Sequence, residues 1–190
     1  MAEGQQSTLV SRRHFLGFGI AGIAGLTTLS PLSALASAPA VHERALAFQN
    51  LHTGESIKTV YWSRAGYIPE GLKEINYVLR DHRTDDVKVI DPGLLDYLFE
   101  MRRHLGTARP FEVLSAYRSP RTNAALAQRS RGVAHNSLHV RGQAVDIRMS
   151  GIGSRALARL AKQLQAGGVG YYPRSNFVHL DVGRVRSWGI

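Results

Sequence analysis

Two segments near the C-terminus carry ionisable residues where strands would bury them. Gln143–Met149 reads as a strand, and a period of two puts Gln143, Val145 and Ile147 on one face, with Ala144, Asp146 and Arg148 on the other. In Phe177-Val178-His179-Leu180-Asp181, the residues Phe177, His179 and Asp181 share a face. A histidine and a carboxylate side by side on a strand need a partner, because a polar group taken from water without one is costly. A metal ion or a charge network with water would satisfy them. His139 enters the Asp146 strand from a loop, and Gly142 between them permits a tight approach. Two imidazoles and a carboxylate are a common ligand set for catalytic zinc, since three protein ligands leave a fourth position for water. The chain has no cysteine, so a cysteine-built structural zinc site is excluded. His139, Asp146 and His179 are therefore the candidate metal ligands.

The rest of the chain supplies a scaffold. Arg44–Leu51 and Ile57–Trp62 flank Thr53-Gly54-Glu55 and read as a β-hairpin. Leu72, Ile75, Val78 and Leu79 stand at helical spacing within Pro69–Arg80. A second helix opens at Asp91-Pro92 and stops at Gly106, with Asp91 suited to cap it. Phe111–Tyr117 reads as a strand, Ser119-Pro120 as the start of a helix to about Arg129, and Arg131–Ser137 as a loop. Ser154–Gln165 is helical, and Gly167–Tyr172 and Phe177–Val182 are strands around a Pro173–Asn176 turn. This order predicts an α+β domain with a small, mainly antiparallel sheet flanked by helices.

The first 36 residues read as an address. Ser11-Arg12-Arg13-His14-Phe15-Leu16 resembles the twin-arginine export signal of bacteria, and Ala34-Leu35-Ala36 offers a small-x-small cleavage pattern. The apolar stretch from Phe15 to Leu26 is too short for a stable membrane span, which needs about 20 residues. Residues 37–190 are then the mature domain, in the bacterial envelope, with no membrane span left after cleavage. The formal charge is +10, and losing two arginines and one glutamate with the signal leaves +9. Arginine dominates that charge, yet no basic run or nucleic-acid motif accompanies it, so nucleic acid is not the expected partner. A solvated basic surface is the plain reading of the charge, and an anionic membrane surface or an acidic cell-wall polymer are the sharper ones.

The joint pattern Ser137-x-His139-x-x-Gly142-x-Ala144-x-Asp146, followed by Val178-His179-Leu180-Asp181, is far more specific than its parts. Residues 137–146 and 168–188 resemble the zinc peptidases related to D-Ala-D-Ala carboxypeptidases, lysostaphin-type enzymes and the hedgehog domain. The match is nearest to the YcbK-like (MepK-like) branch of periplasmic murein endopeptidases, through Gly168–Pro173 and Phe177–Trp188. The resemblance implies a hedgehog/D-Ala-D-Ala peptidase-like fold and one zinc ion per chain on His139, Asp146 and His179. It also implies the stem peptides of peptidoglycan as substrate, with hydrolysis of peptide cross-links. Carboxypeptidase action on stem peptides, of D,D or L,D type, and a non-catalytic zinc-containing wall-binding module are the alternatives.

Zinc peptide hydrolysis also needs a base and an oxyanion donor. The D-Ala-D-Ala dipeptidases carry a glutamate three residues before the last histidine, where this chain has Asn176. Asp181 is the nearest carboxylate and the candidate base, or else the holder of a histidine ring. His135 is a further candidate as proton shuttle or oxyanion donor. By the same resemblance, Arg118 faces the substrate as oxyanion donor or carboxylate clamp, and Ser137 donates to substrate or caps its own loop.

Overall fold

A computed structural model describes residues 42–130 and 133–189. The export segment read at 1–36 lies outside the described residues, as do 131–132 of the loop before Ser137.

The N-terminal hairpin forms as β1 (Glu43–Asn50) and β2 (Ser56–Ser63), with a two-residue β3 (Gly66–Tyr67) beside β2. Helix α1 (Pro69–Val78) starts with proline in its first turn, where the missing N–H costs nothing. Helix α2 (Pro92–Leu105) is capped at both ends. The Asp91 carboxylate accepts the Gly93 N–H at 2.9 Å, and Gly106 closes the helix at φ 59°. Strand β4 (Phe111–Ser115) leads into α3 (Pro120–Arg129), whose N-cap Ser119 accepts the Thr122 N–H. Then follow β5 (Ala144–Arg148), α4 (Ser154–Leu164), β6 (Gly168–Tyr172), β7 (Phe177–Asp181) and β8 (Arg186–Trp188).

The eight strands make one sheet in the order β3-β2-β1-β4-β5-β7-β6-β8. Five neighbouring pairs are antiparallel; β1 with β4 and β6 with β8 are parallel. The sheet is thus mainly antiparallel, as expected, but mixed and larger than the small one anticipated. β3 and β8 are too short to leave a periodic signal, and they supply its two edges.

Alternation divides the two faces. Val145 and Ile147 of β5, Val178 and Leu180 of β7 and Val169 of β6 are buried in a core shared with Leu94, Leu95, Leu98 and Met101 of α2 and Leu157 of α4. Each such side chain contributes about 1.5–3 kcal/mol by leaving water. The Tyr97 hydroxyl donates to the Ala161 carbonyl at 2.8 Å and ties α2 to α4. The intervening residues Asp146, His179 and Asp181 take the opposite face. Among the described residues no helix is long and apolar enough to cross a membrane.

Candidate metal centre

Strand pairing brings the candidate ligands together. Asp146 of β5 lies opposite His179 of β7. His139 arrives differently from expectation: it sits on one turn of 3-10 helix (Leu138–Arg141), not at the end of an irregular loop. Ser137 caps that turn by accepting the His139 N–H, and Gly142 ends it at φ 70°. A side chain at Gly142 would run into the Val89 carbonyl, so the close approach read from the sequence is real.

The network assigns the protons on both histidines. Nδ1 of His139 lies 2.7 Å from the Ala116 carbonyl, which can only accept, so Nδ1 carries the hydrogen. Nε2 of His179 lies 3.0 Å from the Asp181 carboxylate, so Nε2 carries its hydrogen. The remaining nitrogens turn inward. His139 Nε2 lies 3.2 Å from His179 Nδ1 and 3.3 Å from Asp146 Oδ1, and His179 Nδ1 lies 2.8 Å from the same oxygen. Three ligand atoms thus converge, and a metal ion, or a proton on His179, would relieve their repulsion. Tetrahedral zinc with bonds of about 2.0–2.1 Å has ligand-to-ligand edges of ~3.3 Å, close to these separations. The donor set therefore fits zinc.

The electrostatics differ between the two histidines. Burial lowers the pKa of His139 and keeps it neutral, as a ligand must be. Burial would raise Asp146, but His139 and His179 outweigh it and hold the carboxyl well below the usual range. For His179, burial is outweighed by Asp146 and Asp181, which raise its pKa.

Asp181 is fully buried and densely bonded. Its two oxygens accept from His179 Nε2, from Arg186 at 2.7 and 2.9 Å, and from the N–H groups of Gly168 and Gly183. Burial would raise its pKa, but these donors reverse the effect and depress it.

Arg118 follows β4 and lines the same cleft of about 410 Å³. Its Nη2 donates to Ser137 Oγ at 3.2 Å, while its buried Nε has no partner among the described residues. Desolvation lowers its pKa despite the nearby Asp146 charge. Ser137 is therefore already engaged, receiving Arg118 and capping the His139 turn. His135 is exposed and is not among the described residues that line the cleft; its backbone carbonyl accepts from Asn123 Nδ2 at 3.2 Å. Asn176, where related enzymes carry glutamate, sits at φ 50° in the β6–β7 turn, with its Oδ1 accepting from Ser154 Oγ at 2.8 Å. It is a turn residue tied to α4.

Strand β8 supplies one wall of the cleft, which Trp188 lines. Its ring lies 5.3 Å from that of His179, and its Nε1 donates to the Tyr172 hydroxyl at 2.9 Å. Arg186 lines the cleft as well.

Comparison with known proteins gives the family. A family model described as peptidoglycan L,D-endopeptidase MepK matches residues 38–188. The peptidoglycan L,D-endopeptidase MepK of Escherichia coli K12 is 48% identical over 155 residues, covering 82% of this chain and 85% of the relative. The probable peptidoglycan L,D-endopeptidase MepK of Haemophilus influenzae is 41% identical over 156 residues, covering 82% and 83%. By this match over residues 38–188, the chain belongs to the MepK family of M15-type peptidases.

Proposed function

We propose that this protein is a zinc-dependent murein endopeptidase that hydrolyses peptide cross-links of peptidoglycan. The observation that carries the reading is the convergence of His139 Nε2, Asp146 Oδ1 and His179 Nδ1, with each histidine oriented from behind by a second group. Bound there, one zinc ion per chain would polarise the scissile carbonyl and acidify a water. The names of the relatives support an L,D cross-link as the bond. The side of the sheet that bears the site, opposite the helices, is compatible with a hedgehog/D-Ala-D-Ala peptidase scaffold.

The chain's own residues have separable tasks. The Ala116 carbonyl and the Asp181 carboxylate fix the tautomers of the two histidines. Arg118, half-buried in the cleft wall, would donate to the oxygen that becomes negative in the transition state, or to a stem-peptide carboxylate. Of the two roles open to Asp181, holding His179 is better supported than accepting water's proton, because its oxygens already receive five donors. The basic mature domain suits an anionic polymer. The envelope location and twin-arginine export belong to this same reading and rest on residues 1–36.

A non-catalytic zinc-containing wall-binding module is the second reading. One observation favours it: both cleft carboxylates, Asp146 and Asp181, are engaged, and Asn176 is not a base. One assay separates the readings. The mature protein is incubated with purified peptidoglycan, with and without chelator, and the products are weighed. Conversion of cross-linked dimers to monomers, abolished by chelation, supports the endopeptidase. Loss of a terminal alanine alone points to a carboxypeptidase, and binding without cleavage supports the module.

A further inference from the structure

The last strand reaches the metal centre through two glycines. β8 runs parallel to β6, with Arg186 beside Gly168 and Trp188 beside Gly170. Arg186 and Trp188 are two apart and so share a strand face. A side chain at Gly168 would strike the Arg186 guanidinium and the Asp181 carboxylate, and one at Gly170 would strike the Trp188 ring. The two glycines are thus bare spots on which the two large side chains lie. From there Arg186 closes a bidentate pair onto Asp181, at 2.9 Å from Nη1 to Oδ1 and 2.7 Å from Nη2 to Oδ2.

This pairing addresses a specific problem. Asp181 is a carboxylate with no exposure to water, and a buried charge is unfavourable unless compensated. The Gly168 and Gly183 N–H groups both bond Oδ1, so Arg186 is the donor that fixes Oδ2, the oxygen facing His179 Nε2. Without the guanidinium that oxygen would no longer be held in place behind the ring. A planar guanidinium matches both oxygens at once and cannot be deprotonated in this setting. A lysine would reach only one of them.

We infer that Arg186 is a positioning residue for the metal centre, holding the Asp181 carboxylate so that His179 presents Nδ1, and that the bare backbone at Gly168 exists to admit its guanidinium. The inference rests on the metal-centre reading above and extends it three residues deep, from the ion's ligand to Asp181 to Arg186. The remainder of β8 supports the same ring from the side through Trp188, with its indole N–H anchored on Tyr172.

Zinc affinity, measured by competition with a chromogenic chelator, tests it without reference to turnover. Arg186→Gln weakens zinc binding by ~10–100-fold, the range for loss of a group behind a ligand. Arg186→Lys recovers part of that loss. Gly168→Ala leaves every charge in place but crowds the guanidinium and the Asp181 carboxylate where they meet, and it weakens binding in the same direction; it serves if Arg186→Gln does not fold. Nitrogen-15 imidazole spectra of the metal-free proteins show His179 protonated at Nε2 in the wild type and mixed in Arg186→Gln. Wild-type zinc affinity together with a wild-type tautomer in both Arg186→Gln and Gly168→Ala overturns the inference, even if these variants melt earlier. If the wild-type protein itself binds no zinc, it is the metal-centre reading that fails.

Discussion

His139 Nε2 and His179 Nδ1 face each other at 3.2 Å, and each ring's other nitrogen is already committed, one to the Ala116 carbonyl and one to Asp181. Two lone pairs held this way, beside the Asp146 carboxylate, form a site prepared for a cation. His139→Ala is expected to abolish both zinc binding and peptidoglycan cleavage. The zinc content of the purified protein and product masses check this.

Removing the metal is expected to lower stability as well as activity. An ion that binds the folded chain alone contributes about 2.7 kcal/mol when present at a hundred times its dissociation constant. Addition of chelator should therefore lower the melting temperature of the wild-type protein and leave that of His139→Ala unchanged. Differential scanning calorimetry reads the difference.

Asp181→Asn distinguishes the holder of a ring from the acceptor of a proton. With five donors on its oxygens, Asp181 acts through His179. The variant should bind zinc ~10–100-fold more weakly and regain turnover when zinc is saturating. Loss of turnover at full zinc occupancy would instead identify Asp181 as the base.

Arg118→Met removes the half-buried guanidinium from the cleft while keeping much of its apolar stem. Cleavage should slow by roughly 10²–10³-fold, the usual cost of losing one oxyanion donor, with zinc stoichiometry unchanged. A fall in kcat with little change in KM marks the oxyanion role. A rise in KM alone marks a clamp on a substrate carboxylate.

His82 makes stability depend on pH. Its ring stacks on His52 at 3.8 Å, and burial, with the charges of Arg83 and His52, lowers its pKa from 6.5 to about 4 against the opposing pull of Asp81. Between those values the unfolded chain binds a proton that the folded chain does not, so acid favours unfolding. This contribution is complete above pH 6.5 and is lost as pH falls toward 4. Urea unfolding across that range should show the slope, and His82→Phe should flatten it.

Much of the scaffold was legible in local signals. The caps Asp91 and Gly106, the proline starts of α1, α2 and α3, and the Thr53-Gly54-Glu55 turn all stand where the sequence places them, because capping and turn chemistry act over a few residues. The one-turn helix under His139 was not legible, since four residues leave no periodicity to read. Asn176 was legible only as a missing glutamate; its left-handed backbone and its bond to Ser154 appear once α4 packs near the β6–β7 turn.

By itself the sequence singled out the three candidate ligands and the strand faces of Asp146 and His179, because a period of two is a local property of the chain. It also excluded a cysteine site and carried the family pattern. Tertiary structure alone decided which nitrogen of each histidine turns inward, that Asp181 lies buried behind His179, and that Arg186 and Trp188 come home over Gly168 and Gly170. The places of Asp181, Arg186 and Trp188 depend on the pairing of β5 with β7 and of β6 with β8. Register between separate segments is set by long-range packing of their apolar faces, and a shift of one residue would turn Asp146 or His179 to the other side of the sheet.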